Sequence, residues 1–182
     1  MKRPLHQPII ITGFMGSGKT TVAAALSRKL GCQVIDLDSF IAERVGRTPQ
    51  AIIDEDGEQS FREIEGRALG EVLENESARV IALGGGTWTI ESNRALVKAH
   101  GGFTIWLDSP FKVCWQRIKG ESGRSRPLGR EIDSARELYD RRRAVYDEAR
   151  LRIDATEDRS ADSIAVEIIA ALSREHESRA KD

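Results

Sequence analysis

Ile9-Ile10-Ile11-Thr12-Gly13-Phe14-Met15-Gly16-Ser17-Gly18-Lys19-Thr20 is the stretch on which the fold turns. The β-branched run from Pro8 to Thr12 reads as a buried strand, and it stops at a glycine. Beyond the loop, Thr20 to Leu30 carries Val22, Leu26 and Leu30 among alanines, which is a helical spacing, and Gly31 is placed to cap the C-terminus. Between them, Gly13-x-x-x-x-Gly18-Lys19-Thr20 has the Walker A spacing in the strand-to-helix setting that such a loop requires. Glycines let the backbone curl so that several N–H groups face one phosphate. The helix start adds the positive end of its dipole. Lys19 brings a point charge to the β- and γ-phosphates, and the Thr20 hydroxyl suits Mg2+, a hard cation that prefers oxygen. A plain glycine-rich turn needs no Lys-Thr pair at this offset, so the loop from Gly13 to Thr20 reads as an ATP cradle.

Further along, strands are predicted over Gln33–Asp38, Arg79–Leu83, Phe103–Leu107 and Leu151–Ala155. Helices are predicted over Phe40–Val45, Pro49–Asp54, Glu58–Glu76, Ser92–Ala99, Phe111–Ile118, Ile132–Arg150 and Ser160–Leu172. Strands alternating with helices imply an α/β fold, a five-stranded parallel sheet covered on both faces. Ligands of such sheets gather beyond the carboxyl ends of the strands, where the glycine clusters of this chain fall. Lys119 to Arg130, rich in Gly, Ser and Arg, reads as a mobile surface loop, and residues 174–182 as a fraying polar tail.

A chain of 182 residues fits one domain over residues 1–182, with no seam inside it. Net charge is −1, which leaves no global basic field for nucleic acid or membrane. No stretch approaches the roughly 20 apolar residues of a membrane span, and Met1 to Pro8 is followed by no signal-peptide run. Cys32 and Cys114 have no metal-like spacing and fit a reduced, cytoplasmic setting. His6, His100 and His176 are scattered and suggest neither a metal nor a base, while Trp88, Trp106 and Trp115 read as packing residues.

Asp36 and Asp38 stand two apart at a strand end, which would aim both carboxylates to one side. One could hold a metal through water and the other meet a substrate hydroxyl; the bland alternative is a pair of turn formers. Arg62 alone could be a solvated helix charge, and Glu65 its ion-pair partner at i, i+3. Gly84-Gly85-Gly86 costs chain entropy, which points to a close backbone approach rather than a loose turn. Arg124, Arg126 and Arg130 in the predicted loop form either a cationic lid over the phosphates or a solubilising cluster. Arg136, Arg141, Arg142 and Arg143 crowd one helix, which cannot aim all of them at one ligand.

From about Pro8 to Leu172 these residues together resemble the shikimate kinase family. The motifs that agree in order and spacing are the loop Gly13–Thr20, Asp36-Leu37-Asp38, and Gly57-Glu58-Gln59-Ser60-Phe61-Arg62-Glu63-Ile64-Glu65. They continue with Ala82-Leu83-Gly84-Gly85-Gly86, Arg126-Pro127-Leu128, and Arg142 four residues before Tyr146. The resemblance implies a three-layer P-loop kinase fold with a mobile lid over about 119–130. It implies ATP-dependent phosphorylation of the 3-hydroxyl of shikimate, with Mg2+ as cofactor, by a cytoplasmic monomer whose partners are shikimate and ATP alone. Gly16, Ser17, Gly18, Lys19, Thr20, Thr21, Arg126 and Arg159 would bind ATP. Asp38, Arg62, Gly85 and Arg142 would bind shikimate, and Thr20 and Asp36 would hold the metal. Lys19, Asp38 and Arg126 would carry catalysis, with Glu65 fixing Arg62. Gly129, Ala144 and Trp88 depart from the family pattern, and the lid is slightly long. A gluconate kinase or a nucleotide-binding regulatory module without turnover are the alternatives; the second need not keep Asp38, Arg62 and Arg142 together.

Overall fold

Strand β1 (Ile9–Thr12) lies at the centre of a five-stranded sheet in which every pairing is parallel. A computed structural model describes residues 7–74, 78–120 and 132–179 of the chain. The other strands are β2 (Gln33–Asp36), β3 (Ala78–Ala82), β4 (Phe103–Asp108) and β5 (Leu151–Asp154), in the spatial order β2-β3-β1-β4-β5. The helices are α1 (Lys19–Leu30), α2 (Leu37–Val45), α3 (Pro49–Asp56), α4 (Glu58–Glu74), α5 (Glu91–Ala99), α6 (Phe111–Gly120), α7 (Ile132–Tyr146) and α8 (Ala161–Arg179). A short 3-10 turn spans Thr87–Thr89.

Period-two alternation in β1 sends its isoleucines to opposite faces. Ile9 and Ile11 join a core that α1 and α8 close with Val22, Leu26, Ile164 and Ile168. Ile10 joins the core on the other face, with Leu37, Leu69, Val97, Trp106 and Tyr139. The three layers therefore follow from one strand that is apolar on both faces. Trp88 and Trp106 are buried in this second core, and Trp115 packs against the Phe111 ring. Among the described residues no helix is long and apolar enough to cross a membrane.

The larger departures from the sequence-based expectation fall at four places, the other boundaries shifting by one or two residues. Strand β2 ends at Asp36, not Asp38, because the Asp36 carboxylate caps the Ser39 N–H at 3.0 Å and starts α2 at Leu37. Asp36 and Asp38 thus sit on a strand end and a helical turn, not side by side on one strand. Helix α7 stops at Tyr146 instead of Arg150. The bonds from Glu148 N to Val145 O (3.2 Å) and from Ala149 N to Tyr146 O (3.0 Å) tighten the chain into turns, and Arg150 N reaches Thr104 Oγ1 (2.9 Å) to lead into β5. Lys119 and Gly120 belong to α6 rather than to the predicted loop. Helix α8 continues to Arg179, where a fraying tail was expected from 174, and Glu175 pairs with Arg150. The rest of the predicted lid, residues 121–130, lies outside the described residues.

Candidate active site

The loop after β1 curls tightly around its own backbone. Gly16 has φ +74°, and a Cβ there would stand 2.7 Å from the Cys114 carbonyl oxygen of α6. Gly18 is the N-cap of α1 at φ +94°. Both positions require glycine, one for space and handedness and one for handedness alone. Lys19 is buried and donates from Nζ to Phe14 O at 2.9 Å, across the loop it closes. The Thr20 hydroxyl donates to Asp36 Oδ2 at 2.6 Å. Asp36 therefore does two things at once, capping α2 through Oδ1 and meeting the first turn of α1 through Oδ2.

A cavity of about 330 Å3 opens over this loop. Gly16 to Thr21, Asp36, Asp38 and Gly85 line it, with Arg117 and Arg159 also on its wall. Arg159 is held by Asp154 O (2.7 Å) and by Glu167. Arg117 was not foreseen from the sequence. It follows Cys114 by three residues on α6, and its Nη1 donates to Gly16 O at 3.1 Å. The signal is tertiary: α6 packs on the loop at Cys114, so the residue one turn on reaches the same backbone. Arg126 lies outside the described residues.

The three glycines after β3 are explained by what crowds them. None of Gly84, Gly85 and Gly86 has a positive φ, so handedness does not demand them. A Cβ on Gly84 would stand 2.7 Å from Asp38 Oδ1 and 3.0 Å from both Glu65 Oε1 and Thr87 Oγ1. One on Gly86 would stand 2.7 Å from Arg62 Nη1. One on Gly85 would stand 3.2 Å from Met15 N and 3.7 Å from Arg142 Nη1. The segment is a narrow floor onto which two acids and two arginines converge from three helices.

Arg62 on α4 is gripped by Glu65 Oε2 at 2.8 Å and by Glu58 Oε1 at 3.0 Å. Glu65 is only 1 % exposed, and its other oxygen accepts from the Thr87 hydroxyl at 2.6 Å. Burial works against the Arg62 charge, but the two glutamates outweigh it and lift its pKa above the ordinary value. Arg142 on α7 contrasts with it. It is 8 % exposed, donates to Gly85 O at 3.2 Å, and forms no ion pair among the described residues. Burial holds its pKa below the ordinary value; the nearby Arg62 charge acts the same way, while Tyr146 and Glu58 oppose it. A buried cation without a counter-ion costs several kcal/mol, about what a bound anion would offset. Its neighbour Arg143 turns to another face, where it meets Asp108 Oδ2 at 2.7 Å and lies over Trp106 and Tyr139.

Phosphate loop, oxygen-lined cavity and paired guanidinium groups on one side of a parallel α/β sheet define a P-loop kinase of small molecules. The family model described as shikimate kinase matches residues 15–173. A shikimate kinase of Geobacter sulfurreducens is 38% identical over 172 residues, 93% of this chain and 92% of that one. A shikimate kinase of Ruegeria pomeroyi is 34% identical over 171 residues, 92% of this chain and 86% of that one. Among solved structures, the shikimate kinase from Acinetobacter baumannii in complex with shikimate superposes with a TM-score of 0.87 at 30% identity, covering 94% of this chain and 96% of that one. The chain belongs to the shikimate kinase family.

Proposed function

We infer that the chain transfers the γ-phosphoryl group of ATP to the 3-hydroxyl of shikimate, giving shikimate 3-phosphate and ADP in the route to aromatic amino acids. One observation carries the acceptor half of this reading: Arg142 is buried beside Arg62, over the glycine floor, with no ion-pair partner among the described residues. Two guanidinium groups at that spot suit a single carboxylate, which would orient the sugar-like ring. Asp38, at the junction between floor and cavity, then receives the attacking hydroxyl and takes its proton. The hydroxyl oxygen bonds the γ-phosphorus as the bond to the β–γ bridging oxygen breaks, and ADP departs with that electron pair. Gly85 offers its backbone to the substrate.

Gly16, Ser17, Gly18 and Thr21 surround the phosphates, and Lys19 swings from Phe14 O to the oxygens undergoing transfer. Arg126 would add charge from the lid. Arg117 and Arg159 line the same cavity and suit the nucleotide's far end. The Thr20 hydroxyl and Asp36 carboxylate are both hard oxygen donors on facing elements, so they fit Mg2+. When bound, the ion neutralises phosphate charge. We read residues 1–182 as one kinase domain, working as a cytoplasmic monomer. ADP release measured with shikimate as sole acceptor tests the reading; release that shikimate does not stimulate contradicts it.

A further inference from the structure

Thr87 and Trp88 follow the glycine floor directly and look in opposite directions. The Thr87 hydroxyl donates to Glu65 Oε1 at 2.6 Å, and Glu65 Oε2 holds Arg62 at 2.8 Å. The Trp88 indole N–H donates to Val145 O at 3.2 Å, a carbonyl in the last turn of α7 that also accepts Glu148 N–H. Arg94 fastens this side from outside: Nη1 donates to Trp88 O at 3.0 Å, and Nε pairs with Glu148 at 3.0 Å. Val145 adjoins Tyr146, whose hydroxyl donates to Gly85 O, the atom on which Arg142 also rests.

One turn of 3-10 helix therefore touches the supports of both arginines. Arg62 comes from α4 and Arg142 from α7, and these helices are far apart in the chain. Their like charges repel, so the gap between them must be set by something stiffer than the arginines themselves. Asn93 Nδ2 holds Thr87 O at 3.1 Å, and Thr89 N bonds Gly86 O at 3.0 Å, which stiffens the turn. Trp88 is 4 % exposed, so its ring is locked by packing while its N–H is spent on α7.

We propose that Thr87 and Trp88 are positioning residues that set the spacing of Arg62 and Arg142, and with it the affinity for the acceptor's carboxylate. The proposal rests on the reading of that pair as a carboxylate clamp. Thr87 acts through Glu65, Trp88 through the end of α7, and neither touches substrate.

The test uses the full chain with Trp88→Phe, Thr87→Val and Thr87→Ser. Loss of one such hydrogen bond is expected to raise the KM for shikimate about three- to tenfold, with the KM for ATP within about twofold. Thr87→Ser restores the donor and should return the shikimate KM to the wild-type value. Inhibition by the carboxamide of shikimate, which lacks the anionic group, should be unchanged by Trp88→Phe and Thr87→Val. Equal losses for shikimate and the carboxamide, equal shifts in both KM values, or no shift in either would overturn the bridge. If Trp88→Phe does not fold, the Val and Ser variants at Thr87 decide alone. A wild-type enzyme that shikimate does not stimulate would instead remove the clamp reading, an outcome separate from these.

Discussion

The Arg142 guanidinium and the Tyr146 hydroxyl, one helical turn apart on α7, both donate to the carbonyl oxygen of Gly85. The backbone of the glycine floor thus holds the arginine in place while supplying no full negative charge. Arg142 should accordingly cost the unliganded enzyme stability. Arg142→Met keeps similar volume and removes a buried charge that has no ion pair among the described residues, so the ligand-free protein should melt at the same temperature or about 2–4 °C higher. Shikimate, which should raise the wild-type melting temperature, should no longer do so. Thermal unfolding with and without shikimate checks both halves.

Arg62→Ala should weaken shikimate far more than ATP. Hydrogen bonds to a charged group contribute about 1.5–3 kcal/mol, so the shikimate KM should rise about 10- to 150-fold. Steady-state kinetics with each substrate varied in turn makes the comparison, and equal effects on both KM values would contradict the clamp.

Gly86→Ala pushes at the same residue from below, since its Cβ would stand 2.7 Å from Arg62 Nη1. The backbone there is in an ordinary helical region, φ −103°, so the substitution brings no strain of its own. The guanidinium must yield and give up its fit to Glu65 or Glu58. Shikimate KM should rise about tenfold, the loss of about one charged hydrogen bond, while denaturant midpoints shift little. Gly16→Ala is the contrast: positive φ and the Cys114 carbonyl together should destabilise the whole protein.

Asp36 separates two roles by substitution. Asp36→Asn keeps an acceptor for Ser39 N–H and so should hold stability within about 0.5 kcal/mol, while Asp36→Ala should cost about 1 kcal/mol through the lost cap. Both remove the charge beside Thr20 and should raise the Mg2+ concentration needed for half-maximal turnover. Chemical denaturation and a Mg2+ titration of the rate read the two roles separately.

The phosphate loop was legible because its demands are local: a β-branched strand, glycines and Lys19-Thr20 all lie within a dozen residues. The sheet followed from the same local patterns, as at Ile9, Ile10 and Ile11. Boundaries failed where a side chain overrode the pattern. At Asp36, a carboxylate that reads as strand end is also a helix cap. At Tyr146, α7 ends because the chain tightens into turns at Glu148 and Ala149 and ties Arg150 N to Thr104 on the way to β5, which no residue between Val145 and Arg150 announces. The triple glycine was legible as a close approach but not as to what approaches. Asp38, Arg62, Glu65 and Arg142 come from three helices, and only the folded chain brings them to it. Arg117 and the polar ties of Thr87 and Trp88 had no sequence signal, because each depends on a contact between distant segments.

Lys19→Ala should lower kcat about 100- to 1000-fold, the loss expected when one preorganised positive group is removed from developing charge. Steady-state kinetics should show the loss in kcat, because Lys19 is part of the loop that cradles the phosphates. A normal rate would contradict the role of the loop.

Phosphorus-31 to proton correlation NMR of the product formed from ATP and shikimate tests the central claim most directly. The account predicts one phosphomonoester, coupled to the proton on carbon 3 of the ring, and an equal amount of ADP. ATP hydrolysed to free phosphate with shikimate unchanged, or an ester at another hydroxyl, would contradict it.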